Sequence, residues 1–137
     1  MQAWIGVGVG TRRADSNRKG KAMNQKQLEE LLYQAMETEL GGEQVYLKAL
    51  ECAQNSDLEK EWQKYLEETR THQEILSGIF DAAGLDPDTE SPGRKVVRHK
   101  AEALVKAMDM ALADGGPEAA QLVAAESVVE AETKDHQ

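Results

Sequence analysis

Four segments with a helical repeat of apolar residues constrain the fold of this chain most strongly. The segments cover about residues 24–53, 56–84, 95–113 and 117–137. In each segment apolar residues recur every three or four positions, and charged residues fill the opposite face. No stretch alternates with the two-residue period of a strand. The pattern predicts an all-α chain, and the short connections favour an antiparallel four-helix bundle.

Turn and cap residues separate the four segments. Ser56 and Glu59 have the spacing of a capping box, which predicts the start of the second helix. Gly84 is expected to end that helix in a left-handed conformation. Residues 85–94 are rich in Pro, Asp and Gly and are predicted to form a loop. Gly115 and Gly116 break the pattern again before Pro117, which suits the first position of a helix.

Residues 1–22 lack this periodicity. Glycines interrupt their few apolar residues, and the arginines follow the apolar residues, which is the wrong order for a secretory signal. We therefore expect a disordered leader over residues 1–22 and one helical domain over residues 23–137. We further predict that Met23 is the natural start and that the leader is translated upstream sequence.

Charge and cysteine content exclude several classes of protein. A formal net charge of -9 argues against general nucleic-acid binding, which needs clustered Lys and Arg. No apolar run approaches the roughly 20 residues of a membrane span, so no membrane partner is expected. The single cysteine, Cys52, cannot form an internal disulfide, which favours a reducing compartment and predicts a cytoplasmic protein.

Six polar residues lie within the apolar stripes of three predicted helices: Glu39, Glu43, Glu68, His72, Glu132 and His136. The last four belong to two copies of Glu-Thr-x-x-His-Gln, at residues 68–73 and 132–137. A buried, unpaired carboxylate costs several kcal/mol, so such groups must be protonated, paired or bound to a metal. Carboxylate and imidazole ligands together suit iron, manganese or zinc.

Each of these residues also has a simpler interpretation. Glu68 with His72, and Glu132 with His136, have the four-residue spacing of a metal-free ion pair within a helix. Glu43 is either a second ligand or a solvated side chain. Tyr46, seven residues after Glu39, is either a core aromatic residue or a redox partner.

Residues 39–47, Glu-Leu-Gly-Gly-Glu-Gln-Val-Tyr-Leu, resemble the first-helix motif of ferritin-like proteins. Residues 66–72, Leu-Glu-Glu-Thr-Arg-Thr-His, resemble the second helix of the YciF-like bacterial stress proteins (DUF892). The resemblance covers roughly residues 25–137. It implies a ferritin-like four-helix bundle with a di-iron or di-manganese centre, and iron oxidation or peroxide handling under stress. In such centres two helices each supply a Glu and the other two each supply Glu-x-x-His.

The sequence departs from this family pattern in two respects. Thr69 and Thr133 stand three residues before the histidines, so each Glu lies four residues before its His. The segments at 95–113 and 117–137 match the short inserted helix and the helix after it, which implies a truncated chain without the final helix. In the competing register these segments are the complete third and fourth helices.

Two functional hypotheses follow. The first is a ferritin-like protein that binds iron or manganese through the six residues above, and that forms a homo-oligomer such as a dimer. If it is an enzyme, it is a di-iron oxidoreductase. The second is a metal-free helical bundle, in which buried Glu–His pairs fix the helix register and the protein acts by oligomerising.

Overall fold

The computed structural model describes the backbone of residues 24–135 and the side chains up to Glu132. Four helices account for almost all of it: α1 (Gln25–Cys52), α2 (Ser56–Ala83), α3 (Pro92–Asp114) and α4 (Gly116–Asp135). The prediction of an all-α four-helix bundle is confirmed. The predicted leader (residues 1–22), Met23 and the candidate ligand His136 lie outside the described residues.

The helix ends confirm some of the predicted signals and correct others. Gly84 ends α2 with a φ of 71°, the left-handed conformation that was predicted. The predicted capping box at Ser56 is wrong, because Asn55 caps α2 and its side chain accepts from the backbone N–H groups of Asp57 and Leu58. Ser56 is therefore the first helical residue rather than the cap.

Helix α3 begins earlier than predicted. It starts at Pro92, so the expected loop over residues 85–94 is shorter. The Ser91 hydroxyl caps the helix by accepting from the backbone N–H of Arg94 at 3.1 Å. Proline at the first helical position loses no hydrogen bond, which is why a segment with turn-like composition can begin a helix here.

Helix α1 lies at the centre of the bundle and packs against each of the other three helices. Consecutive helices are antiparallel, but α1 and α3 are neighbours that run parallel, as the ion pairs Glu37–Arg98 and Lys48–Asp109 show. Within the described residues, no Cα atom of α2 lies within 8 Å of one in α3 or α4. Helices α2 and α4 therefore approach each other through side chains alone.

Glycine permits the close approach of α1 and α3. A Cβ atom built on Gly41 would lie 2.7 Å from the Cβ of Ala101, well inside van der Waals contact. A larger residue at position 41 would therefore prevent the close approach of the two helices. Over residues 24–135, no helix has both the length and the apolar character that a membrane span requires.

The main core lies between α1, the first half of α2 and the small residues of α4. It is formed by buried residues from all four helices: Val45, Tyr46, Ala49, Cys52, Trp62, Leu66, Met108, Ala120, Ala124, Val128 and Ala131. Trp62 of α2 is buried in this core. Ile79, near the end of α2, is 41% exposed, because the second half of α2 packs against α1 alone.

Candidate functional site

Glu39 is the most deeply buried acidic residue of the described chain. It lies in the middle of α1, with 0% of its surface exposed. Its Oε1 atom is 3.5 Å from Nδ1 of His72, which projects from α2. The sequence paired His72 with Glu68 on its own helix, whereas in the structure His72 also meets a carboxylate from the neighbouring helix.

Burial favours the uncharged form of the His72 imidazole. Burial holds the pKa of His72 below its ordinary value, and the charge of Glu68 opposes this only in part. The contact between His72 and Glu39 is an ion pair only when the imidazole is protonated. A neutral imidazole is also the form that binds a metal ion.

Glu132 enters the same region from α4. The buried hydroxyl of Tyr46 donates a hydrogen bond to its carboxylate, which links α1 to α4. The ring of Tyr65 on α2 packs on Tyr46, with 5.7 Å between the ring centroids. The Tyr65 pKa is raised to about 12, first by burial, then by a hydrogen bond to Glu61, and also by the charges of Glu132 and Glu68. Carboxylates from α2 and α4 thus act on the same phenol.

The structure thereby brings four of the six predicted ligands into one interior region, which we call the buried acidic cluster: Glu39, Glu68, His72 and Glu132. Three helices contribute to it, α1, α2 and α4. As their side chains are placed, no three His, Cys, Asp or Glu residues of the described chain are arranged to hold a metal ion. Metal binding here would need side-chain movement, or a further group such as His136.

Glu43 is engaged elsewhere. Its carboxylate accepts from Arg70 Nε at 2.9 Å and from Gln73 Nε2 at 2.8 Å, both on α2. These bonds, led by the one from Gln73, hold the pKa of Glu43 below its ordinary value. Glu43 is thus tied to the outer side of the α1–α2 contact, and the sequence did not identify this ion pair because its partner lies on another helix.

Thr69 is a functional candidate that is not among the six ligands predicted from the sequence. It has 0% of its surface exposed and lies beside Glu68, one turn before His72. Its hydroxyl makes no hydrogen bond with any described residue. The sequence carried one signal, since Thr69 occupies the position at which the family pattern has a ligating Glu.

No family model matches this chain, and no curated protein or solved structure matches it. The resemblance to ferritin-like and YciF-like proteins therefore stays a prediction from the residues of α1 and α2. The candidate site is defined by the chain's own geometry.

A second polar group, unrelated to the cluster, lies between the first halves of α1 and α3. Buried Arg94 donates to Glu37 at 2.9 Å and also to the carbonyl oxygens of Pro87 and Thr89. Arg98 donates to the same Glu37 carboxylate. Arg94 was assigned to a loop from the sequence, so its burial was not expected. Because its hydrogen bonds are with protein groups, we interpret it as structural.

A groove of about 660 Å³ runs along the α1–α3 contact, and Glu37 and Arg98 are among its lining residues. Leu40, Ala101, Val105 and Met110 are among its lining residues, and no member of the buried acidic cluster lines it. The groove and the cluster are therefore separate features on opposite sides of α1.

Proposed function

We propose that this chain binds iron or manganese through the buried acidic cluster. The observation that carries the proposal is the full burial of the Glu39 carboxylate 3.5 Å from the His72 imidazole, in a region that also contains Glu68 and Glu132. A buried carboxylate is protonated, paired or bound to a metal, and one divalent cation can serve several carboxylates at once. Glu68 and Glu132 bring two further carboxylates to this region, and the charges of both raise the pKa of Tyr65.

The residues that would hold the metal are Glu39, Glu68, His72 and Glu132. Carboxylate oxygens with one imidazole nitrogen form a donor set that suits iron and manganese. A bound iron or manganese ion would supply redox chemistry toward dioxygen or peroxide. The chain's own contributions are the Tyr46 hydroxyl, which orients Glu132, and the apolar core around them, which excludes water. A di-metal centre and a role in stress are proposed only from the ferritin-like resemblance.

The test compares two glutamates one helical turn apart on α1. Glu39→Gln removes a carboxylate of the cluster, whereas the matched control Glu43→Gln removes the one paired with Arg70. Binding of Mn²⁺ to each purified protein is measured by isothermal titration calorimetry, and metal content after growth with iron and manganese is measured by elemental analysis. We expect Glu39→Gln to weaken binding at least about tenfold. Glu43→Gln should bind like the wild type.

Two results would overturn the proposal. One is a wild-type protein that binds neither Mn²⁺ nor Fe²⁺, with Fe²⁺ measured anaerobically. The other is metal binding that Glu39→Gln and Glu43→Gln reduce to the same extent, because the ion would then be held by surface carboxylates.

A second candidate function, a metal-free module that oligomerises, is favoured by exposed apolar side chains. Ile75 on α2 and Val129 on α4 have more than half of their surface exposed. For this candidate, sedimentation velocity should show an oligomer without bound metal, and Val129→Lys should convert it to a monomer. Glu130→Lys, at the next and also exposed position, is the control and should leave the assembly intact. A wild-type monomer would exclude this candidate.

A further inference from the structure

The Thr69 hydroxyl differs from two other hydroxyls that lie within described helices, those of Thr71 and Ser127. Thr71 donates to the carbonyl oxygen of Glu67 at 3.1 Å, and Ser127 donates to that of Val123 at 2.9 Å. Both follow the usual pattern, in which a helical hydroxyl bonds to the carbonyl four residues earlier. Thr69 is fully buried, yet its hydroxyl makes no such bond within the described chain.

A buried hydroxyl without a partner is costly, so its presence needs a physical reason. Leaving a buried polar group unsatisfied loses its hydration without a compensating bond. Native proteins leave few such groups, and those that remain commonly mark a place for water or an ion. The unsatisfied hydroxyl of Thr69 therefore indicates a bound water molecule or ion next to α2.

A second polar atom lies one turn away on the same helix. Nδ1 of His72 is buried, and its 3.5 Å contact with Glu39 does not have hydrogen-bond geometry. Residues three apart in a helix are neighbours on one face. Thr69 and His72 thus present a hydroxyl and an imidazole nitrogen from adjacent turns, and Glu68 directly precedes Thr69 in sequence.

We infer that the Thr69 hydroxyl is a further binding group of the buried acidic cluster and contacts a hydrated divalent cation held there. This inference rests on the proposed function. A hydroxyl is chemically suited to the position, because it offers an oxygen atom without adding charge. A carboxylate at residue 69 would add a further negative charge to a cluster that already contains three.

The test uses two substitutions at residue 69. Thr69→Val has nearly the same shape without the hydroxyl, and Thr69→Ser keeps the hydroxyl. The matched control is Ser127→Ala, which removes a buried hydroxyl that has a partner. For each purified protein we measure the urea midpoint of unfolding without metal, and the dissociation constant for Mn²⁺ by calorimetry.

We expect opposite effects on the two measurements for Thr69→Val. The urea midpoint without metal should stay the same or rise, because an unsatisfied group is lost. The Mn²⁺ dissociation constant should rise about tenfold, the usual lower range for a group that supports a metal site. Thr69→Ser should bind Mn²⁺ nearly as the wild type does. Ser127→Ala should lower the urea midpoint and leave Mn²⁺ binding unchanged.

The possible failures can be told apart. Wild-type protein that does not bind Mn²⁺ would overturn both the proposed function and this inference. Wild-type binding that Thr69→Val leaves unchanged would overturn the inference alone. A Thr69→Val protein that unfolds at lower urea, or does not fold, would also overturn it, because the hydroxyl would then have a partner in the metal-free protein.

Discussion

At the scale of single residues, Arg94 makes the clearest energetic contribution. It is 4% exposed, and its guanidinium group joins Glu37 on α1 to the carbonyl oxygens of the loop before α3. Arg94→Met would leave the half-exposed Arg98 as the remaining arginine partner of Glu37. The carbonyl oxygens of Pro87 and Thr89 would lose their donor. We expect the free energy of unfolding to fall by about 3 kcal/mol, as when one partner of a buried ion pair is removed. Urea unfolding followed by circular dichroism measures this loss.

Arg70 provides the matched control. It also pairs with a glutamate of α1, at 2.9 Å from Glu43, but its side chain is 49% exposed. Arg70→Met should therefore cost only about 0.5 kcal/mol, since water and salt screen exposed pairs. Equal losses for the two substitutions would show that the burial of Arg94 does not matter.

The candidate site could be predicted from sequence only through helical phase, which is the position of each residue around its helix axis. The positions of Glu39 and His72 within apolar stripes indicated that both face inward, and both do. Phase does not reveal a partner on another helix, so the pairing of Glu43 with Arg70 could not be foreseen. Nor does it reveal whether a hydroxyl has found its hydrogen bond, which is why Thr69 emerged only from the structure.

At the scale of helices, the contact between α1 and α3 depends on Gly41. Gly41→Ala would place a Cβ atom 2.7 Å from that of Ala101, so the two helices would have to separate. We expect a loss of about 1–3 kcal/mol in the free energy of unfolding, the range for overpacking. Thermal and urea unfolding both report this loss.

A second glycine separates packing from helix propensity. Gly78 lies within α2, and a Cβ atom there would meet nothing within 4 Å. Gly78→Ala should therefore stabilise the protein by about 0.5–1 kcal/mol, through helix propensity alone. The double substitution Gly41→Ala with Ala101→Gly should recover part of the packing loss. If Gly41→Ala stabilises the protein as Gly78→Ala does, the inferred close approach of α1 and α3 at Gly41 is incorrect.

Helix existence could be predicted from sequence more reliably than helix ends. The apolar period identified all four helices, because burial of one face requires it. The ends depended on individual caps, and two neighbouring residues such as Asn55 and Ser56 can both serve as caps. The start of α3 was missed because Ser91 and Pro92 are common both in turns and at helix N-termini.

At the scale of the whole molecule, acid should destabilise the fold through ion pairs between helices and loops. Arg98 lowers the pKa of Glu90 from 4.5 to about 2, mainly by hydrogen bonding. Gln73 and Arg70 lower the pKa of Glu43. Below pH 4.5 the unfolded chain therefore binds more protons than the folded chain, and the free energy of unfolding falls as the pH drops toward about 2.

The measurement is urea unfolding at several pH values in this acid range. Glu90→Gln should make the acid dependence shallower, and about 1 M NaCl should do the same, since the Glu90 side chain is 48% exposed and salt screens its pair. If neither salt nor Glu90→Gln alters the acid dependence of unfolding, that dependence arises from buried groups instead.

The arrangement of the helices lay beyond the sequence. Short connections correctly predicted antiparallel consecutive helices. They did not indicate that α1 would contact all three others, or that α1 and α3 would be parallel neighbours. That choice depends on where small residues allow two backbones to approach, as Gly41 and Ala101 do, and it involves residues far apart in the chain.

The attachment of α2 to the bundle has a thermodynamic consequence. Its backbone approaches α1 alone, yet it supplies Glu68 and His72 to a cluster whose other members stand on α1 and α4. A ligand bound to cluster residues of all three helices must dissociate before α2 can separate from the bundle. Ligand binding therefore adds RT ln(1 + [L]/Kd) to the free energy of separating α2 from the bundle. The slowing of amide hydrogen exchange along α2 would then report the fraction of molecules in which the buried acidic cluster holds a ligand.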